Sequence, residues 1–461
     1  MRRKDGVYVK KTGNNAFDLT QGGVVERLLL VAMPIIATQF VMMSYNLVDM
    51  FLLGRVGSEA VAASGTAGMY LWLSNGLMLL GRMGAEIGVA QNLGRGDRTA
   101  ARRFAQNSLY LAGACGIAYA LACLLFAPLL LGVFSIREAH VAREAAVYLR
   151  IVALGMPFNF FCAVVAGSFN GSGNSRVPFA INAAGLVLNA VLDPIFIFVL
   201  GLGVAGAAIA TSISMAFAAA LSLLAFTKHR HRPFRRFSFR GRPDTAVLGK
   251  ILRWSVPICA ESTCFTVLMM LMSRITASFG AGAIAVYRVG TQIESLSWLI
   301  CQGFSTALTA FVGQNYGAGL WPRIRACFRA SLSIILAWGC FVTCLLFFAG
   351  ERLFALFLPD PALVPTGRTF IRILALCQIP GCVEAVGAGA FRGLGRTLPP
   401  SLASIVSNAL RVLLAYALAS TALGLSGVWW SISLGATLRG IWILAWFAYE
   451  MRRRRPLEAV S

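Results

Sequence analysis

The chain has 461 residues, 58% of them hydrophobic and only 13% charged, with a formal net charge of +23. A mean hydropathy of +0.73 lies outside soluble globular usage and points to a polytopic membrane protein. The positive charge does not mark a nucleic-acid binder, because the basic residues gather in alternate loops, where they set topology and attract anionic headgroups of the bilayer.

The N-terminus up to Gln21 is polar and lacks the charged-then-apolar pattern of a cleaved signal, so the first span is expected to be retained. Cutting at charges and at Gly/Pro punctuation leaves twelve apolar stretches of spanning length, near 28–53, 60–90, 105–133, 146–169, 177–200, 204–227, 247–278, 282–312, 327–349, 369–391, 400–423 and 427–449. The fold class is therefore all-α with twelve transmembrane helices. Arg2, Arg3, Lys4, Lys10 and Lys11 precede the first stretch, and Arg95, Arg98, Arg102 and Arg103 follow the second. Arg176 follows the fourth, and a run from Lys228 through Arg230, Arg232, Arg235, Arg236, Arg240 and Arg242 follows the sixth. Arg323, Arg325 and Arg329 follow the eighth, Arg392 and Arg396 the tenth, and Arg452 to Arg455 the last. The other loops are short or balanced, as at Arg137 and Glu138. Both termini are thus expected in the cytoplasm, with the protein in the cell (inner) membrane.

The second half repeats the first. At an offset of 223 residues, Arg27, Pro34, Gly57, Ala60, Ala62 and Gln91-Asn92 fall on Lys250, Pro257, Gly280, Ala283, Ala285 and Gln314-Asn315. At 222, Arg150-Ile151, Phe169, Gly171, Gly173 and Pro178 meet Arg372-Ile373, Phe391, Gly393, Gly395 and Pro400. Each copy holds six spans, an even number, so the two are related by a pseudo-two-fold axis along the membrane normal with a cavity between them. The expected organisation is a cytoplasmic tail over 1–23, an N-lobe over 24–227, a basic linker over 228–246, a C-lobe over 247–450 and a second tail over 451–461.

Acids inside the apolar spans carry the functional signal. Asp49 sits in YNLVDMFLLGR, and a carboxylate there must face a protein interior or a wet cavity. With a rise of ~1.5 Å per residue, Asp49 lies roughly 9 Å below Arg55, Asp193 about 12 Å below Gly201, and Thr211 about 12 Å below Gly203. These side chains share one layer, with Tyr45 and Asn189 a turn deeper on the same faces as Asp49 and Asp193. Pro34 and Pro194 suggest kinks that would free carbonyls for the site. The alternative reading has Asn189 and Thr211 simply satisfy neighbouring backbone, and for Thr211 alone the two readings weigh the same.

The second half lacks this set, since Met272 stands at the repeat of Asp49. It carries Glu261, Glu294, Glu384 and Arg411 instead, candidates with Gln39 for a substrate cavity. Glu261 reads either as an attractor of cationic cargo or as an interior acid paired with Arg411 or Arg274, and Arg82 with Glu86 as a structural pair one turn apart. The eleven Cys residues lie in apolar segments without metal-ligand spacing and read as small buried hydrophobes. His140 falls in an outer loop and His229 and His231 in the basic loop, so no nucleophilic triad and no metal set is available in the membrane and an enzyme is not expected.

The pattern resembles the multidrug and toxic compound extrusion (MATE) transporters, of the bacterial DinF-like type. The resemblance runs from Arg27 to Glu450 and rests on YNLVDMFLLGRVG, AQNLGRGD with its repeat GQNYGAG, FNGSGNSRVP with its repeat FRGLGRTLPP, NAVLDPIFIF and GVAGAAIAT. It implies a V-shaped pair of six-helix lobes and export of organic, often cationic, compounds against inward H⁺ or Na⁺. The cation site of that family's N-lobe maps onto Asp49, Asn189, Asp193 and Thr211, with Tyr45 beside them. The segment with Arg82 and Glu86 is more charged than the family pattern.

The expected mechanism couples Asp49 and Asp193 as a pair that takes up a cation outside, shifts the first span and displaces cargo. No cofactor is expected beyond H⁺ or Na⁺ as coupling ion; the partners are small organic cations and the bilayer, no nucleic acid is involved, and the protein is expected to be a monomer. A flippase for lipid-linked saccharides is the alternative. A channel would line its pore with matched rings, which the pairing of Asp49 with Met272 does not offer.

Overall fold

A computed structural model describes residues 17–134, 138–228, 234, 241–358 and 360–453, apart from the side chains of 46, 58 and 453. The expected basic residues at 2–11, 137, 230–233, 235–240 and 454–455, and His229 and His231, lie outside them. Among the described residues the secondary structure is helical throughout.

Twelve long helices follow in order: α1 (Val24–Val56), α2 (Ser58–Gly94), α3 (Arg98–Gly132), α4 (Ala139–Gly171), α5 (Arg176–Pro194), α6 (Gly203–Lys228), α7 (Thr245–Ala277), α8 (Ala281–Gly317), α9 (Trp321–Phe357), α10 (Val364–Gly393), α11 (Leu398–Ala419) and α12 (Leu425–Arg453). Eleven are long and apolar enough to cross a membrane; the twelfth, α2, carries Arg82, Glu86, Gln91 and Asn92 and packs on α3 and α4 on one side and α7 and α8 on the other. α1, α2, α4 and α8 overrun their expected spans at both ends, whereas α11 stops at Ala419, short of the expected 423; a helix continues until a cap or glycine stops it. Asp97 and Asp244 cap α3 and α7, accepting from Ala100 N (2.8 Å) and from Ala246 N (3.0 Å). Gly57 and Gly280, repeats of each other, have φ of 153° and 101° and open space where a Cβ would sit, so backbone freedom makes possible the one-residue turn from α1 to α2 and the short turn from α7 to α8.

Proline acts unevenly. α1 runs on through Pro34, whereas after Pro194 the backbone widens into a π-helical turn over Ile195–Val199. A kink that the sequence reading did not anticipate lies at Phe126 in α3, two residues before Pro128. His140, expected in a loop, opens α4 and pairs with Glu59 of α2 at 2.8 Å.

The two sixes are built alike. In the first, α2 packs on α3 and α4, α4 on α3 and α6, and α5 on α1 and α6; in the second, α8, α10 and α11 hold the same relations to α9, α12 and α7. Ser212 of α6 donates to the Ile151 carbonyl of α4 (2.9 Å), and Ser433 of α12 donates to the Ile373 carbonyl of α10 (2.6 Å). Between the halves, α1 meets α8 and α7 meets α2, as a two-fold relation demands.

The core explains the V shape. Near the end where α1 begins, one apolar cluster joins Leu28, Val31 and Ile35 of α1 to Phe304, Leu308 and Phe311 of α8 and Phe391 of α10. Toward the other end the clusters separate: Ala63, Cys123, Tyr148, Val152 and Val204 pack within the first half, and Val286, Phe370, Val412 and Trp429 within the second. Shared burial holds one end of the halves together and leaves the other free to part.

Candidate functional site

The residues expected at one depth do meet. Asn189 and Asp193 face the same way one turn apart on α5, and the Asn189 amide donates to Asp193 Oδ1 at 3.1 Å. Asp49 comes from α1 and Thr211 from α6, the two helices that flank α5. The carboxyls of Asp49 and Asp193 adjoin, and the Tyr45 hydroxyl faces Thr211. Asn189, Asp193 and Thr211 are buried as whole residues.

One oxygen on each of Tyr45, Asp49, Asn189, Asp193 and Thr211 is buried without a hydrogen-bond partner among the described residues. Such atoms are costly to remove from water, and five of them in one pocket form an oxygen cluster suited to a hard cation or a proton. No ion pair of the described residues involves either aspartate.

The sequence reading missed Tyr148 of α4, whose hydroxyl reaches Thr211 and lies in the field of both aspartates. Its signal was a lone phenol in an apolar span, which needs a polar partner once buried. Its repeat, at the same 222-residue offset, is Phe370, a buried member of the apolar core.

The candidate cavity residues of the second half separate into pairs. Glu261 does not pair with Arg411 or Arg274: it accepts from Ser401 Oγ (2.8 Å) and stands 3.8 Å from Arg392, because α7 packs on α11 and brings Glu261 to the end of α10. Arg411 instead stands with Glu294 and Tyr287, beside a crevice lined by Phe265, Met269, Met272 and Asn408. Glu384 pairs with Arg439, and Arg82 approaches Glu86 to 3.7 Å, as expected of neighbours on one turn. Gln39 is half-buried on α1, three residues beyond Ile36. Four arginines are thus each matched by a glutamate, and among the described residues neither Asp49 nor Asp193 has such a partner.

Two repeated six-helix lobes, joined at one end and apart at the other, with a charged pocket inside one of them, define a membrane transporter rather than an enzyme. The sequence profile of the MatE family matches residues 34–195 and 257–417, one segment in each half and together well over half the chain. The chain belongs to the MatE family of transporters. It is 27% identical over 384 residues to the probable multidrug resistance protein NorM of Thermotoga maritima, covering 83% of this chain and 82% of that protein. It is 26% identical over 446 residues to the multidrug resistance protein PmpM of Pseudomonas aeruginosa, covering 93% and 92%. In fold it matches a MATE crystal structure in the bent conformation with a TM-score of 0.91 at 23% identity, covering 97% of this chain and all of that one (100%). A transporter of the MOP superfamily from Pyrococcus furiosus matches with a TM-score of 0.89 at 23% identity, over 96% and 99%.

Proposed function

We propose that the protein is a multidrug efflux antiporter of the cell membrane, with both termini in the cytoplasm, that exports organic cations in exchange for inward H⁺ or Na⁺. The observation that carries this reading is the cluster of unpartnered oxygens on Tyr45, Asp49, Asn189, Asp193 and Thr211, with no basic side chain among the described residues paired to either aspartate. A pocket built that way gains a cation more readily than an anion. The names of NorM and PmpM support efflux of drugs as the transported class.

The coupling follows from the helices that carry the ligands. Asp49 and Tyr45 ride on α1, while Asp193, Asn189 and Thr211 ride on α5 and α6. A cation held between the carboxylates draws α1 toward α5 and α6, and its release lets α1 relax. Since α1 also packs on α8 of the other half, a shift of α1 alters the wall between the lobes. Cargo bound against that wall is displaced when the cation enters. A membrane potential of 100 mV supplies about 2.3 kcal/mol per net charge moved and a pH unit about 1.4; a monovalent organic cation leaving for one proton moves no net charge, so each pH unit sustains a cargo gradient of roughly tenfold.

Export of a lipid-linked saccharide would need net positive charge for a phosphate. The matching of Arg82, Arg392, Arg411 and Arg439 by Glu86, Glu261, Glu294 and Glu384 leaves little of it. The test is dye efflux from proteoliposomes under separately imposed pH and Na⁺ gradients: cationic dyes are expected to move and anionic ones not. Transport that ignores both gradients overturns the antiport reading.

A further inference from the structure

At the joined end, each half reaches into the other through the same residue. Gln91, near the end of α2, donates its amide to the Gly393 carbonyl at the end of α10, at 2.9 Å. Gln314, its repeat on α8, donates to the Gly171 carbonyl at the end of α4, also at 2.9 Å. Gly171 and Gly393 are themselves repeats, so the two bonds are one contact made twice about the pseudo-axis. Both glutamines are buried, at 5% and 3% exposure, where no water competes for the bond.

The backbones between them touch. A Cβ at Gly94 would lie 1.9 Å from the Gln314 carbonyl oxygen, and one at Gly317 would lie 1.9 Å from that of Gln91. α2 and α8 therefore close on each other with no room for a side chain, and the missing side chains are what brings each glutamine within reach of the opposite half.

A strap crosses the same seam. Leu19 is fully buried; its N–H donates to Gln314 Oε1 (3.0 Å), and its carbonyl accepts from Asn315 (3.1 Å) and Arg323 (3.2 Å). The Phe17 carbonyl rests against Gly173 of the first half, where a Cβ would stand 2.4 Å away. Gln314 is thus held at both ends of its amide, by the strap through its oxygen and by Gly171 through its nitrogen.

We propose that Gln91 and Gln314 form a paired latch between the lobes, that this latch keeps the cytoplasmic end shut while the cavity faces outward, and that the 17–22 strap secures its Gln314 side. Opening inward requires both amide bonds to break and the strap to leave Gln314 or travel with the second half. Because the two bonds are equivalent by the repeat, breaking either pushes the conformational balance the same way. The strap adds to one side only, so the two halves of the latch differ in strength.

The experiment places spin labels at Thr99 and Ala326, exposed positions near the starts of α3 and α9, through a ketone-bearing amino acid that leaves the eleven native cysteines intact. Distances are read by pulsed electron resonance on the full chain in lipid nanodiscs. Gln91→Met and Gln314→Met keep the length of the side chain and remove the donor. Gln91→Met is expected to raise the ratio of long to short distances about fivefold, from the usual strength of one buried bond, Gln314→Met by more because it also loses the bond from the strap, and the double variant by the product of the two. Leu19→Ser is expected to shift the ratio in the same direction. Gly94→Ala, which leaves both glutamines in place, offers a second route by wedging the helices apart and is expected to lengthen the distances too. An unchanged distribution in the double variant and in Gly94→Ala overturns the latch. The inference rests on the two-state cycle of an antiporter, but the distances require no cargo and no gradient. An unshifted distance thus sinks the latch alone, while failure of gradient-driven efflux sinks the antiport reading alone.

Discussion

Replacing Asp193 by Asn tests the coupling pocket most directly, because it removes one charge and almost no volume. The Asn189 amide donates to Asp193 Oδ1, and the side-chain oxygen of an asparagine can accept the same bond, so the packing of α5 on α1 and α6 is expected to survive. What is lost is half of the charge that holds the cation. At about 4 Å and an effective dielectric near 20, one carboxylate contributes roughly 4 kcal/mol to a monovalent cation. Solvent relaxation and the remaining Asp49 reduce the net effect, and a weakening of cation binding by 10²-fold to 10³-fold is expected. In proteoliposomes with an imposed pH or Na⁺ gradient, Asp193→Asn should need a far steeper gradient to drive efflux of a cationic dye. Asp49→Asn should behave alike, and the double variant should not concentrate dye at all. Retention by the double variant of the wild-type initial rate and final gradient would refute the assignment, however well the fold agrees.

Thr211→Val and Tyr148→Phe each delete one hydroxyl from the pocket at nearly constant shape; each should weaken coupling-ion binding about tenfold, read as a shift in the ion concentration for half-maximal efflux, with unchanged thermal stability. Glu384→Gln leaves Arg439 buried and unpaired, at 12% side-chain exposure, and should cost about 3–5 kcal/mol, seen as a lower unfolding temperature in detergent. Adding Arg439→Gln should recover most of that loss, and no recovery would mean the pair is not the cause. A Cβ at Gly84 would lie 2.4 Å from Ile251 across the seam between α2 and α7. Gly84→Val should therefore destabilise the protein by about 1–3 kcal/mol, and Ile251→Ala in the same chain should restore it.

The asymmetry between the lobes carries a physical lesson of its own. At the 222-residue offset, Asn189 falls on Arg411 and Asp193 on Ala415. Where the first half gathers the oxygens of Tyr45, Asp49, Asn189, Asp193 and Thr211, the second half carries a tethered cation beside Glu294, at a crevice shared with Phe265, Met269 and Met272. A covalently held guanidinium cannot be exchanged with either side of a membrane, so the proposed coupling falls to the first repeat alone.

Length, apolar runs and the internal repeat were enough to read twelve helices in two sixes, because a spanning helix must satisfy its own backbone and so announces itself by hydropathy. The depth of Asp49, Asp193 and Thr211 was equally legible, since helical rise converts position into height. Azimuth was not legible. Whether Tyr148 on α4 turns toward Thr211, or Glu261 toward Arg392 rather than Arg411, depends on how each helix is rotated against its neighbours, and side chains far apart in sequence decide that rotation. The reach of Gln91 and Gln314 across the seam was hidden for the same reason. The motif containing them repeats visibly, but only the glycine-to-carbonyl contact of α2 with α8, a property of two surfaces packed together, brings each amide to the other lobe.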